Sequence, residues 1–246
     1  MKAMNMNRLR SFRVATSLLA FCLLALFSPA TADAQKDGTT HYVKLGGSIQ
    51  NAIDDANDGD TIQLAAGQYD ITTTIDPGGK EVTILGTVDG NGDPTSILDG
   101  GGAFRVLICQ SGETSTTIFE NLMIQNGLAS GTFPGNSGGG MYNYSSSPTL
   151  TNCTFTSNSA DVGGGMYNTF GGSPTLTDCT FTSNSADYYG GGIFNDSADG
   201  VGGGISNSSS NPTLTNCTFT NNSADDYGGG MYNTASSSPT LTECTF

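Results

Sequence analysis

From residue 138 onward, apolar and polar positions recur in two phrases separated by Gly, Ser, Asn and Pro. The first phrase, Gly-Gly-Gly-Met/Ile-x-Asn, occurs at Gly138–Asn143, Gly163–Asn168, Gly190–Asn195, Gly202–Asn207 and Gly228–Asn233. The second, Pro-Thr-Leu-Thr-x-Cys-Thr-Phe, occurs at Pro148–Phe155, Pro174–Phe181, Pro212–Phe219 and Pro239–Phe246. Its cysteines lie 26, 38 and 27 residues apart, and the long interval contains the glycine phrase twice. Each unit therefore has two runs of β-formers, Met-Tyr and Thr-Leu-Thr-x-Cys-Thr-Phe, bounded by turn residues and lacking any helical stripe. Residues 196–201 read as a loop or part of an irregular coil.

A period near 26 without helices excludes propeller blades and the regular leucine spacing of leucine-rich repeats. Short strands can then satisfy their backbone groups by pairing with the copy one coil above and below, about 4.8 Å away. The predicted fold is all-β, a right-handed parallel β-helix. Stacking equivalent positions places Leu150, Leu176, Leu214 and Leu241 in one inward column, and Phe155, Phe181, Phe219 and Phe246 in another. Asn152, Asp178, Asn216 and Glu243 form a third, in which amides can donate to neighbouring carboxylates. The glycine triplets are expected at tight corners where φ turns positive.

The front of the chain is less regular. Ser48 precedes Ile49, Ala52, Ile53 and Ala56, the stripe of a short amphipathic helix ending near Gly59. Such a helix would cap the bore. Thr61 to Leu64, Val82 to Leu85, Arg105 to Cys109 and Thr117 to Ile124 read as strands of irregular coils, with turns at residues 77–79, 89–92 and 100–102. Residues 1–34 read as a secretory signal peptide: Lys2, Arg8, Arg10 and Arg13, an apolar run from Val14 to Phe27, Pro29, and Ala32-Asp33-Ala34 before the cleavage point. That run is shorter than the roughly 20 residues that span a bilayer. The expected organisation is a leader, 1–34, and one β-helix domain, 35–246, with irregular coils over 35–137 and regular repeats over 138–246. The repeats stop in mid-phrase at Phe246, as expected of a fragment of a longer protein.

Charge narrows the partners. The chain carries a net charge of −14, and removal of the leader leaves four basic residues against 21 acids, a net of about −17. No nucleic-acid partner is expected and anionic headgroups are poor partners, because both require a basic patch. Glycans or cell-surface proteins remain, and the oligomeric state is left open. An exported location, extracellular or on a bacterial cell surface, follows from the leader.

The paired signatures Gly-Gly-Gly-Met/Ile and Phe-x-x-Asn, the latter at Phe155–Asn158, Phe181–Asn184 and Phe219–Asn222, resemble the repeats of the chlamydial polymorphic outer-membrane proteins. The family pattern has alanine at the third glycine. The stretch from Ser48 to Asp70 looks like the opening of pectate-lyase-like β-helix proteins. The first resemblance implies surface-exposed adhesion passengers exported as autotransporters with a membrane barrel; the second implies polysaccharide lyases, hydrolases and epimerases.

Candidate chemistry is sparse. A uronate lyase needs a cationic base, yet Lys, Arg and His are absent from Val106 to Phe246. Arg105 reads as a surface ion-pair residue, His41 receives no role, and Asp54, Asp55, Asp58 and Asp60 read as solvated helix-end charge. No catalytic residue and no cofactor is assigned. Asp161, Asp187, Asp225 and Asp226 form a carboxylate column that calcium could bridge, although the nonapeptide calcium repeat is absent. Tyr142, Tyr167, Phe194 and Tyr232 are expected as an outward aromatic stripe, stacked on one another or available to sugar rings. Cys153, Cys179, Cys217 and Cys244 are expected as a buried thiol ladder, the in-register geometry being awkward for a disulfide. The expected function is a non-catalytic surface or secreted repeat protein presenting a β-helix flank for adhesion or recognition. The alternative is a carbohydrate-active enzyme.

Overall fold

The computed structural model describes residues 38–246, apart from 133, 190–192, 197–205, 209, 226–227 and 235–236; for 188–189, 193–196, 206–208, 232 and 234 it describes the backbone. Residues 1–34, which carry the expected leader, lie outside these residues, and Lys36–Phe246 forms one compact unit.

Every pairing between named strands is parallel, and among the described residues the strands form four sheets running along the solenoid. The leucine sheet has eight strands, Thr40–Val43, Thr61–Leu64, Thr83–Leu85, Ile118–Glu120, Thr149–Thr151, Thr175–Thr177, Thr213–Thr215 and Thr240–Thr242. The phenylalanine sheet has six, from Gly67–Asp70 through Ser96–Asp99, Leu122–Gln125, Thr154–Thr156 and Thr180–Thr182 to Thr218–Thr220. A third, the tyrosine sheet, contains Leu107–Cys109, Met141–Tyr144 and Met166–Thr169. The fourth, the alanine sheet, contains Leu128–Ala129, Ser159–Val162, Ser185–Tyr189 and Ser223–Ala224.

Registers place like over like: Leu150 pairs with Leu176 and Leu176 with Leu214, while Phe155 pairs with Phe181 and Phe181 with Phe219. The phenylalanine rings stack with centroids 4.7, 5.1 and 4.7 Å apart from Phe155 to Phe246. Offset-stacked rings contribute about 0.5–1.5 kcal/mol per pair beyond burial. Together with Leu150, Leu176, Leu214 and the cysteines they fill the bore.

Thr-Leu-Thr-x-Cys-Thr-Phe is two strands rather than one run. The residue before each cysteine is left-handed, with φ of 48° at Asn152, 55° at Asp178, 52° at Asn216 and 55° at Glu243. Asn and Asp tolerate that conformation best after glycine. The stretch read as one strand, Thr117 to Ile124, breaks for the same reason at Asn121, φ 58°. The side chains continue the corner as a ladder: Asn216 Nδ2 donates to Asp178 Oδ1 at 2.7 Å, and Asn152 Nδ2 to Asn121 Oδ1 at 2.8 Å. Within the glycine triplets the first residue makes the turn, φ 67° at Gly138 and 66° at Gly163. The next two are glycine for lack of room: a Cβ on Gly139 or Gly140 would run into the carbonyl oxygens of Ser159 or Gly165.

A second internal ladder lies after the next corner. Asn158 Nδ2 donates to Asn184 Oδ1 and Asn184 Nδ2 to Asn222 Oδ1, each at 3.0 Å, beneath buried surroundings.

The helix spans Ile49–Asp55, and Ser48 Oγ accepts from Asn51 N at 3.1 Å. Ile49 and Ile53 are buried and join the core. Lys80 closes the other end, its Nζ donating to the carbonyls of Ile53, Asp54 and Ala56 at 2.7, 2.7 and 2.9 Å. A cation there satisfies carbonyls that the helix leaves unpaired.

Candidate functional site

Alternation along each strand decides what the flanks display. Leu and Phe point inward, so the threonines beside them point outward. In the leucine sheet, Thr149, Thr175, Thr213 and Thr240 form one outward column, and Thr151, Thr177, Thr215 and Thr242 a second. The first column continues forward through Ile118 to Thr83, Thr61 and Thr40. The phenylalanine sheet repeats the arrangement with Thr154, Thr180 and Thr218, and with Thr156, Thr182 and Thr220. Thr175, Thr213, Thr240 and Thr242 are exposed and the other four on the leucine flank half-buried. In the sequence alone these threonines stand out only as strand formers.

The aromatic stripe is arranged differently. Tyr142 and Tyr167 stack with centroids 5.4 Å apart, as expected, but each is only 2 % exposed. They lie outside the bore in a small cluster with Ile108 and Val162. Arg105 covers one face of Tyr142. Its guanidinium sits 4.9 Å over the Tyr142 ring, while Nε donates to Ser137 O and Gly138 O, and Nη2 to Pro134 O, Gly135 O and Ser137 O. Burial lowers the Arg105 pKa to about 10 and raises that of Tyr142 to about 12. Instead of a surface ion pair, Arg105 makes a clasp that holds the backbone of residues 134–138 while lying against Tyr142. The side chains of Phe194 and Tyr232 lie outside the described residues.

Asp161 and Asp187 each follow a stacked alanine, Ala160 and Ala186, and Asp225 follows Ala224 in the same way. Asp161 Oδ2 accepts from Asn136 Nδ2 at 3.1 Å; Asp226 lies outside the described residues. No group of three or more His, Cys, Asp or Glu placed to hold a metal occurs among the described residues.

Within the acidic cluster of the cap, Asp60 differs from its neighbours. It is 5 % exposed and accepts from Asn57 N at 2.9 Å and Thr39 N at 2.8 Å, with His41 Nε2 at 3.0 Å. These donors, Asn57 first, hold its pKa down at about 2. His41, given no role above, thus ties the first strand to the turn before the second. Proximity across 19 residues left no local signal.

A groove of about 660 Å³ runs beside the glycine turn 100–102 and is lined by Gln68, Asp70, Asp99, Phe104 and Asn126 among others. Asp70 and Asp99 are register partners on adjacent coils. The Asp99 carboxylate accepts from Gln125 Nε2 at 2.7 Å, Gly101 N at 2.8 Å and Asn126 Nδ2 at 3.1 Å, which holds it as a fixed acceptor. Asp70 is exposed and takes a bond from Gln68 Nε2 at 2.8 Å. Paired carboxylates with a partly exposed aromatic residue can hydrogen-bond and stack on a sugar.

The cysteine column stands as free thiols, Cys153, Cys179 and Cys217 buried and Cys244 half-buried. Each of the last three sulfurs donates to the leucine carbonyl one coil back, Cys179 to Leu150 O at 3.7 Å. Burial pushes the Cys179 thiol well up. In the bore Cys153, Cys179 and Cys217 pack as small apolar side chains.

Residues 87–246 match the family model described as a right handed beta helix region. No curated protein and no solved structure matches the chain.

Proposed function

Because the chain belongs to the right-handed β-helix family, we propose that it is an exported, non-catalytic repeat protein that works by presenting a rigid sheet flank for adhesion or recognition. The observation that carries this reading is the outward threonine array, in which successive coils offer the same two side chains at the same height. A surface fixed by main-chain ladders loses little conformational freedom on binding, so many weak contacts add up. The leader-like residues 1–34 and the resemblance to surface-exposed adhesion repeats support export to the cell exterior.

Two measurements test it. Full-length protein made in a secreting bacterial host should leave the cytoplasm with a new N-terminus at Gln35. Immobilised protein should retain glycans or cell-surface proteins in a way that Thr175→Lys reduces. Retention in the cytoplasm with Met1 intact removes export; binding indifferent to the flank removes the recognition role.

A second reading, a carbohydrate-active enzyme, is favoured by the Asp70–Asp99 groove. Turnover of a uronate or neutral glycan that disappears in Asp70→Asn would put this reading in place of the first.

A further inference from the structure

We infer that the leucine-sheet flank binds ice, its threonine columns acting as a flat template for ordered water. This inference rests on the recognition reading and specifies its ligand. Four features of the flank lead to it.

The first is spacing. Adjacent parallel strands lie about 4.8 Å apart, and residues two apart along a strand about 6.6 Å apart. Thr149, Thr175, Thr213 and Thr240, beside Thr151, Thr177, Thr215 and Thr242, therefore occupy a two-dimensional grid over four consecutive coils. Rows of oxygen atoms on a face of hexagonal ice repeat at a distance close to the inter-strand one, so successive rungs can stay in step with the lattice along the solenoid.

The second is charge. Ice is a neutral lattice, and a charged side chain on a template would hold its own disordered hydration shell against it. The chain carries a net charge of −14, yet all eight grid positions are threonine. Acids lie off the grid, at corners such as Asp178 and Glu243. Selection for solubility alone would place acids on an exposed sheet, and selection for strand propensity alone would accept Val, Ile or Tyr. In the irregular coils the second column does vary, through Tyr42, Gln63, Leu85 and Glu120.

The third is hydroxyl availability. Among the described residues Thr149 alone of the eight uses its hydroxyl within the protein, donating to Ser115 O at 3.0 Å. The others can bond to water, while each adjacent methyl group orders the water beside it.

The fourth is what the grid lacks. Protein interfaces concentrate Tyr, Trp and Arg at their centres, and sugar sites use aromatic faces. None of these residues stands on the grid. The leucine flank is chosen over the phenylalanine flank because it has more exposed threonines and a column continuing to Thr40.

The test uses the full chain in its exported form. Fluorescently labelled protein is offered to a slowly growing ice hemisphere, and ice recrystallisation is followed in parallel. Incorporation into the ice is expected, together with arrest of recrystallisation at micromolar protein. Thr175→Lys and Thr213→Lys, both exposed positions, should each weaken the arrest at least tenfold at unchanged melting temperature; Thr220→Lys on the phenylalanine flank should leave it intact. Exclusion of the unmodified protein from ice overturns the inference, as does equal loss in Thr220→Lys or none in the leucine-flank variants. Exclusion from ice accompanied by glycan or cell-surface binding that Thr175→Lys reduces rejects ice as the ligand while leaving the recognition reading intact; failure of both assays removes both.

Discussion

The Arg105 guanidinium lies 4.9 Å from the centroid of the Tyr142 ring and donates to carbonyls of residues 134, 135, 137 and 138. One side chain therefore both lies over Tyr142 and fastens the backbone of residues 134–138. Arg105→Met should keep the packing of the stem but release the segment. The expected loss is about 2 kcal/mol, in the range for hydrogen bonds to a charged group. Because the chain has no tryptophan, tyrosine fluorescence can be followed without a tryptophan background: acrylamide quenching should rise above that of the unmodified protein. Unchanged quenching would mean that the tyrosines are covered without the clasp. Lysine should rescue little, since a point charge cannot reproduce the planar fork.

Phe181 occupies the middle of the ring stack, with neighbours at 4.7 and 5.1 Å. Phe181→Ala should cost about 3–5 kcal/mol, the range for deleting a buried aromatic ring. Phe246→Ala should cost far less, because that ring is 62 % exposed. Urea titration of the two variants would check the order, and equal losses would contradict the stacked core.

Asp60 makes the cap acid-sensitive. Its folded pKa, about 2, lies below the ordinary aspartate value of about 3.9. A depressed carboxylate contributes stability that is complete above the unfolded pKa and is lost as pH falls through the folded one. The first strand should therefore loosen between about pH 4 and pH 2. Hydrogen exchange at Thr39, whose amide bonds to Asp60, should report it, and Asp60→Asn should flatten the dependence.

Thiol reactivity should follow depth. Cys179 is buried with its pKa raised by that burial, whereas Cys244 is half-buried with a pKa raised to a lesser extent, first by burial. Iodoacetamide at pH 9 should label Cys244 first and Cys179 only on unfolding. Mass spectrometry of tryptic and chymotryptic peptides distinguishes them; early labelling of Cys179 would show the bore to be open.

Lys80 should prove a stability residue despite lying at the surface. Lys80→Met removes three bonds to the carbonyl end of the helix and should cost about 1.5–3 kcal/mol, in the range for hydrogen bonds to a charged group. Circular dichroism would show little change and hydrogen exchange faster turnover in residues 49–56. Equal protection in the variant would place the hold on the helix elsewhere.

The solenoid and its inward columns were legible because Leu150 and Phe155 return at every coil, and a column needs only that periodicity. The corners were harder to read. Asn152 sits inside what looks like an unbroken β-run, and only its left-handed φ separates two sheets there. Strands such as Gly67–Asp70 and Ser96–Asp99 escaped because they are short and carry Gly, Ser and Asp. The cover over Tyr142 comes from an arginine outside the repeats, which also binds carbonyls about 30 positions further on, at residues 134–137 that precede the first glycine phrase. The threonine grid was present in the sequence, but alternate threonines beside Leu and Phe first read as strand propensity. Their second meaning needed the register.

In-register stacking makes size an integer quantity for this protein. Gain or loss of one whole unit would lengthen or shorten the flank by a single rung and leave every remaining contact as it was. A single-residue insertion within a strand would instead turn its leucine outward and its threonines in. Unequal recombination between the near-identical repeats would thus generate folded variants of graded reach, each differing from the last by one row.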